Sequence, residues 1–403
     1  MKVTIERLGH LGDGIAAGPV FVPMALPGEV VEGEVTGANM VAPRILVPSD
    51  IRVKPVCSHY KACGGCSLQH AAEPFVAEWK AAIVRSALTY QGLDTEIRKV
   101  LTSPARSRRR AAFAGKRTKN GAMIGLHARG SDTLIEVPNC KLMHPDLMAL
   151  TPALEALTVA GASRKGVITL TVTISEGGAD VSVSNGKALE GQMWVELAAL
   201  AEKFNLARLC WNEEQVAERR PAAHRFGKAL VTPPPGAFLQ ATAEGEAALL
   251  EAVREVTGDS KRVLDLFAGC GTFSLPLAEN AEVHAVESEG DMLAALDKGW
   301  RRAQGLKLVT TETRDLFRRP VLPEELKSYD SVVIDPPRAG AEAQIAELAR
   351  SGVSTIAAVS CNPVSFARDA KTLTDAGFSL NWVDVVDQFR WSPHVEVVAS
   401  FTR

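Results

Sequence analysis

Three side chains in the last fifth of the chain have types and settings suited to covalent chemistry. Asp335 stands in SVVIDPPRAG, Cys361 in AAVSCNPVSFARD and Glu396 in WSPHVEVVASF. The apolar runs before Asp335 and Cys361 read as buried strands, so both residues fall at strand ends. Pro336 and Pro337 stiffen the backbone behind the acid. A buried structural thiol is the commonest fate of a free cysteine, and Cys210 in LARLCWN and Cys270 in FAGCG take that reading. A Ser-Cys-Asn-Pro turn at a strand end is not a core position, which makes Cys361 a candidate nucleophile. Carbon-5 of a pyrimidine attacks electrophiles poorly. A thiolate added at carbon-6 turns the ring into an enolate that can take a methyl group, and a base must then remove the carbon-5 proton to expel the thiol. Glu396, at the start of the last apolar stretch, is a plausible base.

Beyond Lys261, apolar strands alternate with helices: RVLDLFA, EVHAVE, KLVTTE, SVVIDPP, STIAAVS, FSLNWVDVV and EVVASF. That alternation predicts an α/β fold with a mostly parallel, helix-covered sheet, its ligands outside the carboxyl ends of the strands. The last two strands have no helix-length insert between them, which predicts an antiparallel edge. VLDLFAGCGTFSLPLAE reads as strand, glycine turn and helix, with Gly269 and Gly271 allowing the backbone to approach a ligand closely. A lone GxG turn fits nucleotides, flavins or nothing. Glu287, ending the next strand, is placed to accept bonds from ribose hydroxyls, and Asp315, after the third, to reach an adenine edge. Each acid alone could equally be a helix cap or a surface charge. Together with DLFAGCG they resemble class I S-adenosylmethionine methyltransferases. A dinucleotide site would carry a third glycine where Ser274 stands, after Phe273.

The amino-terminal residues 1–52 read as short strands separated by turns such as GDG and ALPGE, which predicts a small β-barrel. GDGIAAGPVFVPMALPGEVVEGEV resembles a TRAM domain, an OB-like barrel of RNA-modifying enzymes. Residues 53–235 are expected to form an α+β central domain. Within it a helix spans roughly 71–92, stops at Gly92 and packs on the catalytic domain by the family resemblance given below. Residues 236–403, after the TPPPG linker, form the catalytic domain. The formal net charge of −2 leaves any nucleic-acid affinity to a local patch. Arg98 to Lys119 holds nine Lys or Arg and no acid, and Arg108, Arg109 and Arg110 in it are candidate phosphate contacts, against the reading of a solvated strand face.

Cys57, Cys63 and Cys66 cluster in CSHYKACGGCSLQH, and Cys140 follows in VPNC. Four thiolates in this spacing leave zinc and an iron–sulfur cluster both open. Seven cysteines, four of them ligand-like, point to a reducing cytoplasm rather than a disulfide framework. No apolar run reaches the length of a membrane helix, so no membrane partner is expected.

In order, FLQ, DLFAGCGTFSLPLA, VE, DPPRAG, SCNP and HVE resemble the RNA uracil-5 methyltransferase family, in particular its bacterial ribosomal members, over almost all of the chain. That resemblance implies Cys361 as nucleophile and Glu396 as base. It implies Gln240, Phe267, Thr272, Glu287, Asp315 and Asp335 as contacts to S-adenosylmethionine, and Phe238 as the ring stacking on the target base. It further implies a 4Fe–4S cluster on Cys57, Cys63, Cys66 and Cys140, and a monomer acting on structured RNA. 23S ribosomal RNA ranks above transfer RNA, because the TRAM-like segment and the cysteine site accompany the ribosomal members. The chain departs from the pattern in two places: QFRWSP replaces the usual Phe-Pro-His-Thr before HVE, and Thr272 stands where Asn is often found. A non-catalytic RNA-binding factor would lack Cys361, Glu396 or Asp335, and an amino-group methyltransferase would leave Cys361 without a role.

Overall fold

A computed structural model describes residues 1–403. Five short strands, β1 (Lys2–Leu8), β2 (Gly14–Ala16), β3 (Val20–Val22), β4 (Val30–Thr36) and β5 (Asn39–Val47), close into the predicted barrel. Ile5, Val22, Val31 and Met40 fill its interior.

Helix α1 (Glu73–Tyr90) starts with Pro74 in its first turn, where a missing amide hydrogen costs nothing. It ends before Gly92, whose φ of +72° turns the chain away. Its buried residues Val76, Lys80, Val84 and Leu88 recur every four positions and form one face. After β6 (Ile97–Thr102), a second unit is built from β7 (Arg110–Arg117), β8 (Ala122–His127), β9 (Leu134–Ile135), α2 (Pro145–Ala149), α3 (Thr151–Gly161), β10 (Val167–Ser175), β11 (Gly178–Ser184), α4 (Gln192–Lys203), β12 (Arg208–Trp211) and β13 (Glu214–Glu218). Its strands form one sheet in the order β13-β12-β11-β10-β7-β8-β9. The core between sheet and helices includes Leu154, Leu157, Leu170 and Trp211. Gly161 lets the Trp211 ring lie directly on α3, since a Cβ there would fall 2.1 Å from it.

The carboxy-terminal part comprises the hairpin β14 (His224–Phe226) and β15 (Ala229–Val231), then α5 (Ala243–Thr257), β16 (Arg262–Leu266), α6 (Ser274–Leu277), β17 (Glu282–Glu287), α7 (Gly290–Arg302), β18 (Val309–Thr313), α8 (Pro323–Leu326), β19 (Ser331–Ile334), α9 (Glu342–Arg350), β20 (Thr355–Ser360), α10 (Pro363–Asp375), β21 (Ser379–Asp387) and β22 (Glu396–Thr402). The sheet order is β18-β17-β16-β19-β20-β22-β21-β6. Strands β16 to β20 run parallel, and β22 is antiparallel to both β20 and β21.

Two features differ from the sequence-based expectation. The antiparallel pair exists but is not the edge: β22 lies inside the sheet, and β6 pairs in parallel with β21 to close it. Helix α1, already expected on the catalytic domain, packs there together with β6 and the β14–β15 hairpin, which the sequence places in the 53–235 segment. Val84 and Leu88 of α1 belong to the same core as β16, β19 and β22, while Phe226, Ala229 and Val231 join the core on the other face. Residues 73–102 and 224–231 therefore pack with the carboxy-terminal sheet.

Candidate active site

The parallel strands end on one side of the sheet, and their last residues or following turns open on a single cavity of about 470 Å³. Phe267, Gly269 and Thr272 reach it from the β16–α6 turn, Glu287 from the end of β17, and Asp315 from just after β18. Asp335 follows β19, Cys361 follows β20, and Glu396 opens β22. Phe238 and Gln240 line the same cavity from the segment preceding α5.

The β16–α6 turn is held in a form few sequences tolerate. Phe267 has φ +62°, uncommon for any residue with a Cβ, followed by Gly269 at +56° and Gly271 at +93°. A Cβ at Gly271 would sit 2.8 Å from Leu296, so the turn can lie this close to α7 only as glycine. Phe317 packs against Phe267 with ring centroids 5.6 Å apart. Glu287 is fixed by the amides of Gly269 (3.1 Å) and Ser288 (2.6 Å), and Asp315 accepts from the amide of Phe317 (3.0 Å). Beneath the turn, the buried Asp265 accepts from the Ser274 hydroxyl at 2.5 Å. Its other oxygen has no partner, and burial pushes its pKa to about 7, partly offset by Ser274.

Around the thiol the electrostatics favour neutral groups. Burial pushes Glu396 up to about 7, against the Gln388 hydrogen bond that lowers it. Asp335 is raised well above the ordinary carboxylate range by burial and then by Glu396 and Asp265. Burial, Glu396 and Asp335 together raise the Cys361 thiol, while the Arg338 charge pulls it down. The resting group is a thiol beside two acids of high proton affinity.

Cys361 and Arg338 also line a second cavity of about 540 Å³. Its walls come from Arg7 and His10 of the barrel, Trp79 and Ile83 of α1, and His394. Cys361 thus stands where two cavities meet.

The remaining predicted residues lie outside both cavities. Arg109 donates to Glu246 at 2.5 Å, and Arg98 at the start of the basic run pairs with Glu255 and Asp384. Arg110 donates to the Gly236 carbonyl at 2.9 Å, and Arg108 lies 5.9 Å over the Phe389 ring. Neither Arg108 nor Arg110 has a carboxylate partner. Cys57, Cys63, Cys66 and Cys140 sit within charge range of one another. Burial and the other three thiolates push Cys66 up to about 12 against a bond from Gln69. Gly64 lies so close to the His127 carbonyl, 2.9 Å from where a Cβ would be, that only glycine passes. No three of these side chains converge to the spacing of a single bound ion.

Sequence reasoning missed Arg338 and Gln388. Arg338 was visible inside DPPRAG, beside a recognised acid. Gln388 carried no signal, because its partner Gln240 lies 148 positions away. The departing segment QFRWSP has a structural role: the Trp391 carbonyl, at a residue with φ +60°, accepts from the amides of Ser67 (2.7 Å) and Leu68 (3.0 Å). The connection between β21 and β22, with Gln388 at its start and Glu396 just past its end, is thereby tied to the residues following Cys66.

The sheet order, the glycine turn after its first strand and the carboxylate ending the second define a class I S-adenosylmethionine-dependent methyltransferase. A family model described as tRNA (uracil-5-)-methyltransferase matches residues 302–403, and the 23S rRNA (uracil(1939)-C(5))-methyltransferase RlmD of Chromohalobacter salexigens is 33% identical over all of this chain and 89% of its own. The chain belongs to the RNA uracil-5 methyltransferase family and is an S-adenosylmethionine-dependent enzyme. A Caulobacter vibrioides protein described as an uncharacterized RNA methyltransferase is 45% identical, covering 100% of this chain and 99% of that one. In fold, the chain is similar to Pyrococcus abyssi tRNA (uracil-54, C5)-methyltransferase in complex with S-adenosyl-L-homocysteine, with a TM-score of 0.78, 23% identity and coverage of 100% and 99%. No helix is long and apolar enough to cross a membrane.

Proposed function

We propose that this enzyme methylates carbon-5 of a uridine in 23S ribosomal RNA, with Cys361 as the nucleophile and Glu396 as the base. The observation that carries this reading is the shared cavity: Cys361 and Glu396 face the same space as Gln240, Phe267, Glu287 and Asp335. The full-length likeness to a 23S enzyme favours ribosomal RNA over transfer RNA, while the family model's description keeps transfer RNA as the second reading.

Gln240, Phe267, Gly269, Thr272, Glu287, Asp315 and Asp335 would hold S-adenosylmethionine: all seven line one cavity, where the Gly269 turn leaves backbone open to a ligand and the Glu287 carboxylate can accept from hydroxyls. S-adenosylmethionine supplies an electrophilic methyl group. The protein's own part is on the uracil. Phe238, 63% exposed at the cavity mouth, offers a face for the flipped base. Cys361 gives up its thiol proton to solvent and Sγ adds to carbon-6, which makes carbon-5 nucleophilic. After methylation, Glu396 takes the carbon-5 proton, the double bond re-forms and the carbon–sulfur bond breaks. The cavity flanked by Arg7, His10 and Arg338 would receive the nucleotides beside the target.

Cys57, Cys63, Cys66 and Cys140 would hold a 4Fe–4S cluster. The donor set is four thiols close enough to raise one another's proton affinity. This suits an inorganic core with thiolates at its corners.

Mass-spectrometric mapping of 5-methyluridine in ribosomal and transfer RNA, with and without the gene, tests the reading. One uridine in 23S RNA should lose its methyl group and regain it on complementation with the natural protein but not with Cys361→Ala. Loss confined to transfer RNA would select the second reading, and an unchanged map would sink both.

A further inference from the structure

Gln388, the residue after β21, is 1% exposed, and every polar atom of its side chain is engaged. Its Oε1 accepts from the amide of Ala241 at 2.8 Å. Its Nε2 donates to Gln240 Oε1 at 2.5 Å and to Glu396 Oε2. One amide therefore joins the segment carrying Phe238 and Gln240 to the carboxylate at the head of β22. No other side chain hydrogen-bonds the Glu396 carboxylate.

We propose that Gln388 is the positioning residue for proton abstraction: it aims the Glu396 carboxylate at carbon-5 and stabilises its ionised, proton-accepting form. The proposal rests on the assignment of Glu396 as the base.

An amide N–H can donate to either form of a carboxyl group, but the bond to the anion is the stronger. Elsewhere around Glu396 nothing supports a negative charge. Asp335 faces it from the turn after β19 and Cys361 from the β20–α10 turn; of the two arginines lining the cavity, Arg314 is paired with Glu325 and Arg338 acts on the Cys361 thiol. From its own loop His394 is held neutral by burial and by Arg338, Lys80 and Arg108. Burial drives the Glu396 pKa to about 7 even with Gln388 in place. Without that bond the base would be protonated over more of the neutral range.

The step that then fails is specific. Glu396 as carboxylate takes the carbon-5 proton. The C–H electron pair becomes the carbon-5–carbon-6 double bond, and the Cys361 sulfur leaves with the pair from its bond to carbon-6. Glu396 as carboxylic acid cannot accept the proton, so the methylated ring stays bound to Cys361. The link to Gln240 orients the Gln388 amide, so that its second hydrogen is directed at Glu396.

Gln388→Met keeps the length and most of the volume of the side chain while removing the amide. Wild type, Q388M and Glu396→Gln are compared for turnover across pH 6–9, and for protein–RNA conjugates on denaturing gels. Q388M should show the acid limb of kcat moved up by about 1–2 pH units, the equivalent of one hydrogen bond to a charged group. Conjugates should accumulate at neutral pH and fade as the pH rises, whereas Glu396→Gln traps them at every pH. A Q388M profile superimposable on wild type, or a loss uniform across pH without conjugates, overturns the role of Gln388. Failure of Glu396→Gln to trap conjugates would instead overturn Glu396 as the base. Should Q388M not fold, Gln388→Asn, which keeps the amide but shortens its reach, must show the same shift and the same trapped species or the role falls.

Discussion

Lys80 of α1 and Asp387 at the end of β21 form an ion pair, 2.5 Å apart, with side chains 0% and 1% exposed and 307 positions between them in sequence. Lys80 also donates to the Phe389 carbonyl at 3.3 Å, so one buried ammonium holds both sides of Gln388. Removing one partner of a buried pair strands the other charge and costs about 3–5 kcal/mol. Lys80→Met should lower stability by that order in denaturant unfolding. The double variant with Asp387→Leu should recover much of the loss, since no isolated charge remains.

The folded protein binds protons that its unfolded chain has released. Glu396 titrates near 7 when folded against 4.5 ordinarily, and Asp265 near 7 against 3.8, both chiefly through burial. Between those values the folded state carries more protons, so stability falls as pH rises from about 4.5 through 7, by roughly 3 kcal/mol for Glu396. Denaturation midpoints of the ligand-free protein at pH 5 and pH 8 measure this. Glu396→Gln should remove its share of the slope and leave that of Asp265.

The arginine run should divide by partner. Arg109→Ala breaks the pair with Glu246, whose side chain is only 14% exposed, and should appear as lost stability. Arg108→Glu with Arg110→Glu should instead weaken RNA binding and flatten its salt dependence by roughly 0.7 per lost phosphate contact on a single strand. Phe238→Ala should weaken RNA binding with the salt slope intact, because stacking is uncharged. Fluorescence titrations at several salt concentrations separate the outcomes.

Protein purified without air should carry about four irons per chain if the thiols hold the cluster. Cys140→Ser should lose iron. Because the Trp391 carbonyl takes both its hydrogen bonds from Ser67 and Leu68, iron loss should also increase hydrogen exchange in residues 388–395. Iron analysis and hydrogen-exchange mass spectrometry read the two effects. Iron lost with no change in 388–395 would show that the catalytic loop holds its form independently.

The strand-end residues were legible because each sits where an apolar run stops: Glu287, Asp335 and Cys361 need only the rule that ligands bind at carboxyl ends. The barrel was legible from its turns. What escaped depends on partners distant in sequence. A strand such as IRKVLT gives no hint that it will pair with β21, and a lone Gln in VVDQF looks like any polar residue at a strand end. Arg98 and Arg109 read as free positive charge because Asp384 and Glu246 lie far along the chain.

The pairing of β6 with β21 also has a consequence in time. Arg98 and Asp384 are 286 positions apart, so a ribosome finishes β6 long before it begins β21. At ~5–20 residues per second the gap is roughly 15–60 s. Throughout it, Val84 and Leu88 of α1, the Lys80 ammonium and the edge of β6 lack the partners they have in the folded protein. The amino-terminal half therefore waits for its partners until the last strands are made, and that interval is when unpaired edges and uncovered apolar groups are most open to aggregation.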